Sequence, residues 1–179
     1  MIFHRRLIDQ NQGGFILIEL LLALALTGLI ISGITMSIFQ VVNANRQVSS
    51  NMIAITQAEN LGYWITRDAE MAQSIIAGTE NLTLAWGGWE YQDAGNTYVN
   101  TYKVSYIQAG SEIRRLQEVT TYDSSGQSLG TATSRILVAK YITAIAPEMV
   151  GSQLVAVLIT ASVGEVEEAR TYEVTPRGN

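Results

Sequence analysis

Gln12–Leu26 reads QGGFILIELLLALAL, an apolar run of membrane grade with one acid, Glu19, near its front. A charged side chain at the centre of a membrane helix costs about 2.5–3.5 kcal/mol on insertion scales, so an acid kept there calls for a partner. The apolar stretch continues to Val42, and no residue from Leu20 to Asn45 carries a formal charge. Leu20–Val42 alone, about 23 residues at ~1.5 Å each, is long enough to cross a hydrocarbon core of about 30 Å. Ahead of it lies the polar leader MIFHRRLIDQNQGG, with Arg5 and Arg6 beside the sole histidine, His4. Arginines before the span predict a cytoplasmic N-terminus, with the remainder of the chain on the far side of the membrane.

Three readings of this segment compete. A secretory signal peptide has an apolar core of about 7–15 residues and then a small-residue cleavage site. Val42-Asn43-Ala44 offers such a site, but the core is too long. A plain uncleaved anchor explains the length and leaves Gly13-Gly14 and Glu19 unexplained. The third reading uses every feature. Gly13-Gly14 followed by Phe15-Ile16-Leu17-Ile18-Glu19 resembles the processing motif of type IV prepilins and pseudopilins.

That resemblance implies cleavage by a prepilin peptidase between Gly14 and Phe15, N-methylation of Phe15, and an assembly role for Glu19, the fifth residue of the mature chain. Gly28 falls where the family often has a glycine. The proline often found further along is absent, with Met36 in its place, so a proline-linked helix distortion is not assumed. The chemistry is intelligible. A glycine puts no side chain in the way of the protease, and cleavage removes Arg5 and Arg6. The new amine on Phe15 is a partner for the Glu19 carboxylate, preferably across a subunit boundary, and pairing is what makes a buried carboxylate tolerable.

No Pro or Gly occurs between Ile34 and Leu61. Val41, Val48, Met52, Ile55, Ala58, Ile65, Ala69, Ala72 and Ile76 recur at helical spacing and predict one amphipathic face. The expected helix runs from residue 15 to 77, with a flaw at Gly62 and a stop at Gly78. At 1.5 Å per residue it is on the order of 90 Å long. Residues 15–42 form its transmembrane and assembly half, and 43–77 its amphipathic half. The stretch Leu61–Ile75 resembles the helix end of W-type minor pilins and J-type pseudopilins, which often carry an Asp followed four residues later by an Ala, here Asp68 and Ala72. From the residues alone, Arg67-Asp68 reads as a solvated charge pair.

From Thr79 the period changes to two. NLTLAW is a strand, Gly87-Gly88 suits a hairpin turn into WEYQ, and Ala94-Gly95-Asn96 makes the next turn. TYVNTYKVSYIQ alternates, with Tyr98, Tyr102, Val104 and Tyr106 on one face. Ala109-Gly110-Ser111 turns into EIRRLQEVTTY, and Asp123–Gly130 reads as a polar loop. RILVAKYITAIA and QLVAVLITASV flank Pro147, the latter apolar on both alternating sets and expected to be a central strand buried on two sides. ARTYEVTP comes last. A helix followed by a run of strands predicts an α+β, pilin-like fold, with residues 78–179 forming an antiparallel sheet against the helix.

The 179 residues carry a net charge of −5, with no basic stripe after the leader, which disfavours a nucleic-acid footprint. The absence of cysteine excludes disulfides, thiolate-held zinc and a catalytic thiol, and the single leader histidine leaves no His-based triad. Tyr63, Trp64, Trp86, Trp89 and the tyrosine row suit a stacking platform less well than core positions. Glu165, Glu167 and Glu168 with Asp123 are calcium-type oxygens without a recognisable loop spacing, and Asp123-Ser124-Ser125-Gly126 is explained by turn chemistry. No enzymatic activity, cofactor or metal is expected.

The reading is therefore a structural subunit, minor rather than major, of a type IV pilus or a type II secretion pseudopilus. The resemblance implies as partners other pilin or pseudopilin subunits, a prepilin peptidase, an inner-membrane assembly platform with its ATPase, and the lipid bilayer. It implies single-pass residence in a bacterial cytoplasmic membrane, then in a filament. The alternative is a membrane-anchored extracytoplasmic binding module that does not polymerise.

Overall fold

A computed structural model of the chain describes residues 15–78, 81–88, 90–93, 95–150 and 154–177. It shows a long N-terminal helix followed by antiparallel sheets, an α+β arrangement. Helix α1 spans Phe15–Ala69. The chain divides after Arg46 into two units.

In the first unit, residues 17–46 are exposed throughout. The four hydroxyls of its apolar stretch turn back onto the helix. Thr27 donates to the Ala23 carbonyl (2.7 Å), Ser32 to Leu29 (2.8 Å), Thr35 to Ile31 (2.8 Å) and Ser37 to Gly33 (2.9 Å). Each of these hydroxyls is thus satisfied without water, as an apolar medium demands.

In the second unit, α1 buries Ala54, Ala58, Leu61, Ile65, Asp68 and Ala69, a stripe at helical spacing. The stripe agrees with the expected face at Ala58, Ile65 and Ala69, with Ala72 buried just beyond the helix, and departs from it earlier along the helix. Val48 and Met52 are exposed, and Ile55 is only half-buried. The segment is apolar on two sides, and the side chosen is the one whose alanines and Gly62 let backbone approach closely. Gly62 is no flaw. A Cβ there would lie 2.2–2.6 Å from ring atoms of Tyr172, so the tyrosine ring is seated on bare helix backbone. The helix also ends earlier than predicted, at Ala69. Met71 and Ala72 donate to the carbonyls of Asp68 (3.2 Å) and Ala69 (3.0 Å), tightening the last turn. Gln73 then donates to the Ala85 carbonyl (2.9 Å), and Ser74–Ala77 becomes strand β1. Two β-branched residues, Ile75 and Ile76, sit in this short run, where helical and strand spacings cannot be told apart.

Among the described residues there are nine strands. β1 (Ser74–Ala77), β2 (Asn81–Trp86), β4 (Asn96–Ala109), β5 (Glu112–Asp123) and β6 (Ser128–Ala139) lie in that order, all antiparallel, with β3 (Glu90–Asp93) beside β4. β7 (Ile142–Val150), β8 (Leu154–Val163) and β9 (Val166–Val174) form a second sheet. The core joins the helical stripe to Leu82, Leu84, Val104, Tyr106 and Ile113 of the first sheet and to Ile142, Ile145, Val155, Val157, Ile159 and Val174 of the second.

Several strand expectations are met: β2 spans NLTLAW, and the turns at Gly95 and Gly110 close the hairpins β3–β4 and β4–β5 at positive φ. Four are corrected. Gly87-Gly88 does not fold β2 onto β3. Both lie along β4, because a Cβ at Gly88 would meet Val99 at 2.3 Å and the Asn100 carbonyl at 2.4 Å, and glycine alone lets the chain press there. The loop after Asp123 is shorter than read, since β6 starts at Ser128; its first ten residues are exposed on both faces and so show no alternation. RILVAKYITAIA is two strands, broken at Lys140-Tyr141, where Tyr141 takes φ 60° and the chain passes between sheets. β8 is central in its sheet, but only one face is buried, and Leu158 on the other is 41% exposed.

Candidate functional site

The predicted processing and assembly residues fall in the first unit. Gly14 lies outside the described residues, and Phe15 is described only as the first residue of α1. Glu19 stands one turn further along the helix, at the i+4 position that shares a face with Phe15. It is exposed among Leu17, Ile18, Leu20 and Leu21, all at least 60% exposed. From Leu17 onward the helix is long and apolar enough to cross a membrane. Apolar side chains surround it on every side, so an apolar environment is the one in which this surface is stable. A carboxylate one turn from the start also lies near the positive end of the helix dipole.

The second unit holds a polar cluster that the sequence did not disclose. Asp68, read as solvated, is 1% exposed. The Arg115 guanidinium forks onto it, Nε donating to Oδ2 (2.6 Å) and Nη2 to Oδ1 (2.9 Å), and the Tyr106 hydroxyl donates to Oδ2 as well (2.5 Å). Arg115 Nη1 donates to Gln117 (2.8 Å). The carboxylate thus has three donors, the satisfied state that makes a buried charge bearable. Burial, reinforced by the neighbouring Asp68 charge, pushes the Tyr106 phenol far above its ordinary range, so it stays a hydroxyl donor. Burial works against the Arg115 charge, but its hydrogen bonds and attraction to Asp68 outweigh that and hold the guanidinium up. Two guanidiniums lie within cation–π range of Trp64, Arg115 at 5.4 Å and the exposed Arg67 at 5.6 Å from its ring centre.

The described aromatic residues divide between buried and exposed positions, with Tyr63 and Tyr91 exposed and Tyr91 stacked on Tyr98 (centroids 5.3 Å). Trp86 is 8% exposed and stacks in parallel on Tyr102, centroids 5.5 Å apart, so the rings cover one another. Trp64 has two arginines over its ring, Tyr63 stands edge-on to it at 6.3 Å, and Trp89 lies outside the described residues. An open groove of about 520 Å³, lined by Gln73, Tyr102, Lys103, Glu118 and Thr120 among others, carries the pair of exposed Lys103 and half-buried Glu118 (3.4 Å). Asp123 caps its own turn, accepting from the Ser125 amide and hydroxyl and the Gln127 amide; the Ser125 hydroxyl first, then the turn amides, hold its carboxyl below the usual range. Among the described residues no three His, Cys, Asp or Glu side chains gather as metal ligands would.

No family model, no curated protein and no solved structure matches the chain.

Proposed function

We propose that the chain is a prepilin-like structural subunit, cut between Gly14 and Phe15, methylated on Phe15 and assembled through its N-terminal helix into a type IV pilus or secretion pseudopilus. The supporting observation is a conjunction in chain order. Gly14 precedes Phe15 in the sequence, Phe15 and Glu19 stand at the head of a helix exposed throughout residues 17–46, and antiparallel sheets come after that helix. In this reading the helix rests in the bilayer before assembly and against neighbouring helices afterwards. Gly28 and Ser32, one turn apart, leave a shallow surface suited to close helix contact, and a Cβ built at Gly28 meets nothing within 4 Å. Glu19 docks on the Phe15 amine of a neighbour. The subunit is read as a minor one, and its work is mechanical.

Mass spectrometry of the mature protein tests this. A chain beginning at N-methyl-Phe15 is the expected result. An intact Met1, or a start near Arg46, overturns it in favour of an anchored or a secreted module.

A further inference from the structure

Each of the two sheets ends in a free strand. Among the described residues β6 pairs only with β5, and β9 only with β8. The other two terminal strands are poor templates: β1 has four residues, and β7 contains Pro147, which has no N–H to give. β7 approaches β1 and β2, so β6 and β9 are the outermost strands of the two sheets taken together.

β6 carries little of the charge and none of the proline that normally blunt an exposed edge, and its two register irregularities against β5, at Leu129 and Val138, leave the regular run 130–137 between them. Ten consecutive residues, Ser128–Leu137, are exposed on both faces, yet the run holds no proline, no lysine and a single charge, Arg135. Leu129 is 56% and Leu137 46% exposed. Such an edge invites strand addition. β9 is the opposite case. Its nine residues include Glu167, Glu168 and Glu173, with Glu167 and Glu173 exposed, and its one arginine, Arg170, already pairs with Glu59 (3.3 Å). Two β9 edges repel each other, whereas β6 offers β9 a neutral-to-basic partner of matching length.

We propose that the β6 edge of one copy of this chain pairs with the β9 edge of a second copy, extending the sheet across the boundary, with Arg135 set against the acids of β9. The contact is heterologous, each copy keeps one free edge of either kind, and so copies add in a row rather than closing as a pair. The inference is independent of the cleavage and filament reading, since it requires only that two copies meet.

The chain has no native cysteine, so engineered ones report cleanly. Full-length single variants Thr131→Cys or Thr133→Cys on β6, and Ala169→Cys or Thr171→Cys on β9, are reconstituted into vesicles and exposed to a mild oxidant. The expected result is cross-linking when a β6 variant is mixed with a β9 variant, little when either is alone, and a ladder of dimers, trimers and longer species when one chain carries both. Arg135→Glu on the β6 partner lowers the mixed yield roughly two- to fivefold, the scale of one cross-strand charge pair, and Glu173→Arg on the β9 partner restores it. The proposal is overturned if the β6 variant alone cross-links as well as the mixture. It is equally overturned if the mixture does no better than a Ser125→Cys control in the β5–β6 turn, or if the charge swap restores nothing.

Discussion

Arg115 and Asp68, 47 residues apart in the chain, meet as a two-pronged ion pair that fastens α1 to strand β5 in the interior. The pair is well made, yet its contribution to stability is set by what it cost to bury both charges. Removing one partner strands the other, at about 3–5 kcal/mol, while replacing both by apolar residues of similar size is often neutral or stabilising.

Asp68→Ala is therefore expected to destabilise the detergent-solubilised chain by about 3–5 kcal/mol, and Asp68→Leu with Arg115→Met to recover most of that loss. Denaturant titration of the two singles and the double reads it. A double variant as weak as its worse parent would show that the pair itself, and not the penalty of a lone charge, holds the helix.

Tyr106 supplies a pH signature. Its phenol is pushed up in the folded protein, chiefly by burial, while the unfolded chain ionises at the ordinary value of 10.0. The resulting stability is fully present below that value and is lost progressively as pH rises above it. Tyr106→Phe should flatten this alkaline decline and cost about 1 kcal/mol at neutral pH through the lost hydrogen bond. Thermal melts between about pH 7 and 11.5 compare the two. Equal alkaline slopes would assign the decline to other groups.

Gly62→Ala is expected to destabilise, against helix propensity, which favours alanine over glycine by about 1 kcal/mol in a helix interior. The new methyl has nowhere to go, because Tyr172 already occupies its place. Overpacking of this kind costs about 1–3 kcal/mol. Combining it with Tyr172→Val should give back part of the loss, and a stabilised single variant would show that the ring moves aside freely.

Glu19→Leu is expected to leave membrane insertion intact or improved and to reduce assembly. Comparing the membrane-bound pool with the sheared filament fraction separates the two. Normal incorporation of the leucine variant would remove Glu19 from any docking role.

Much of the architecture is legible in the chain because it rests on periodicity. The switch from helical to alternating spacing after residue 79, the glycines at 95 and 110, and the uncharged run Leu20–Asn45 all carry direct physical meaning. The departures have local reasons. Ser74–Ala77 is too short for its period to decide between helix and strand. β6 is polar and exposed on both faces, so its alternation carries no signal. Asp68 escapes a reading in which charges face water. Its spacing from Leu61 and Ile65 places it on the buried stripe, and Arg115 shares strand parity with buried Ile113. Two opposite charges on two inward faces are the visible sign of a pair.

The seat of Tyr172 on Gly62 belongs to a longer series of ties. Gln57 accepts from the Lys140 amide (2.8 Å), Glu59 pairs with Arg170 (3.3 Å), Asn60 donates to the Val138 carbonyl (2.7 Å), and Asp68 closes the row on Arg115 and Tyr106. These fasteners sit along little more than three turns of one helix and end on β4, β5, β6, β9 and the turn after β6. A tension applied along the helix axis loads them together in shear instead of peeling them off in sequence. The force at which the helix tears free of the sheets is then governed by their combined strength and not by the weakest of them.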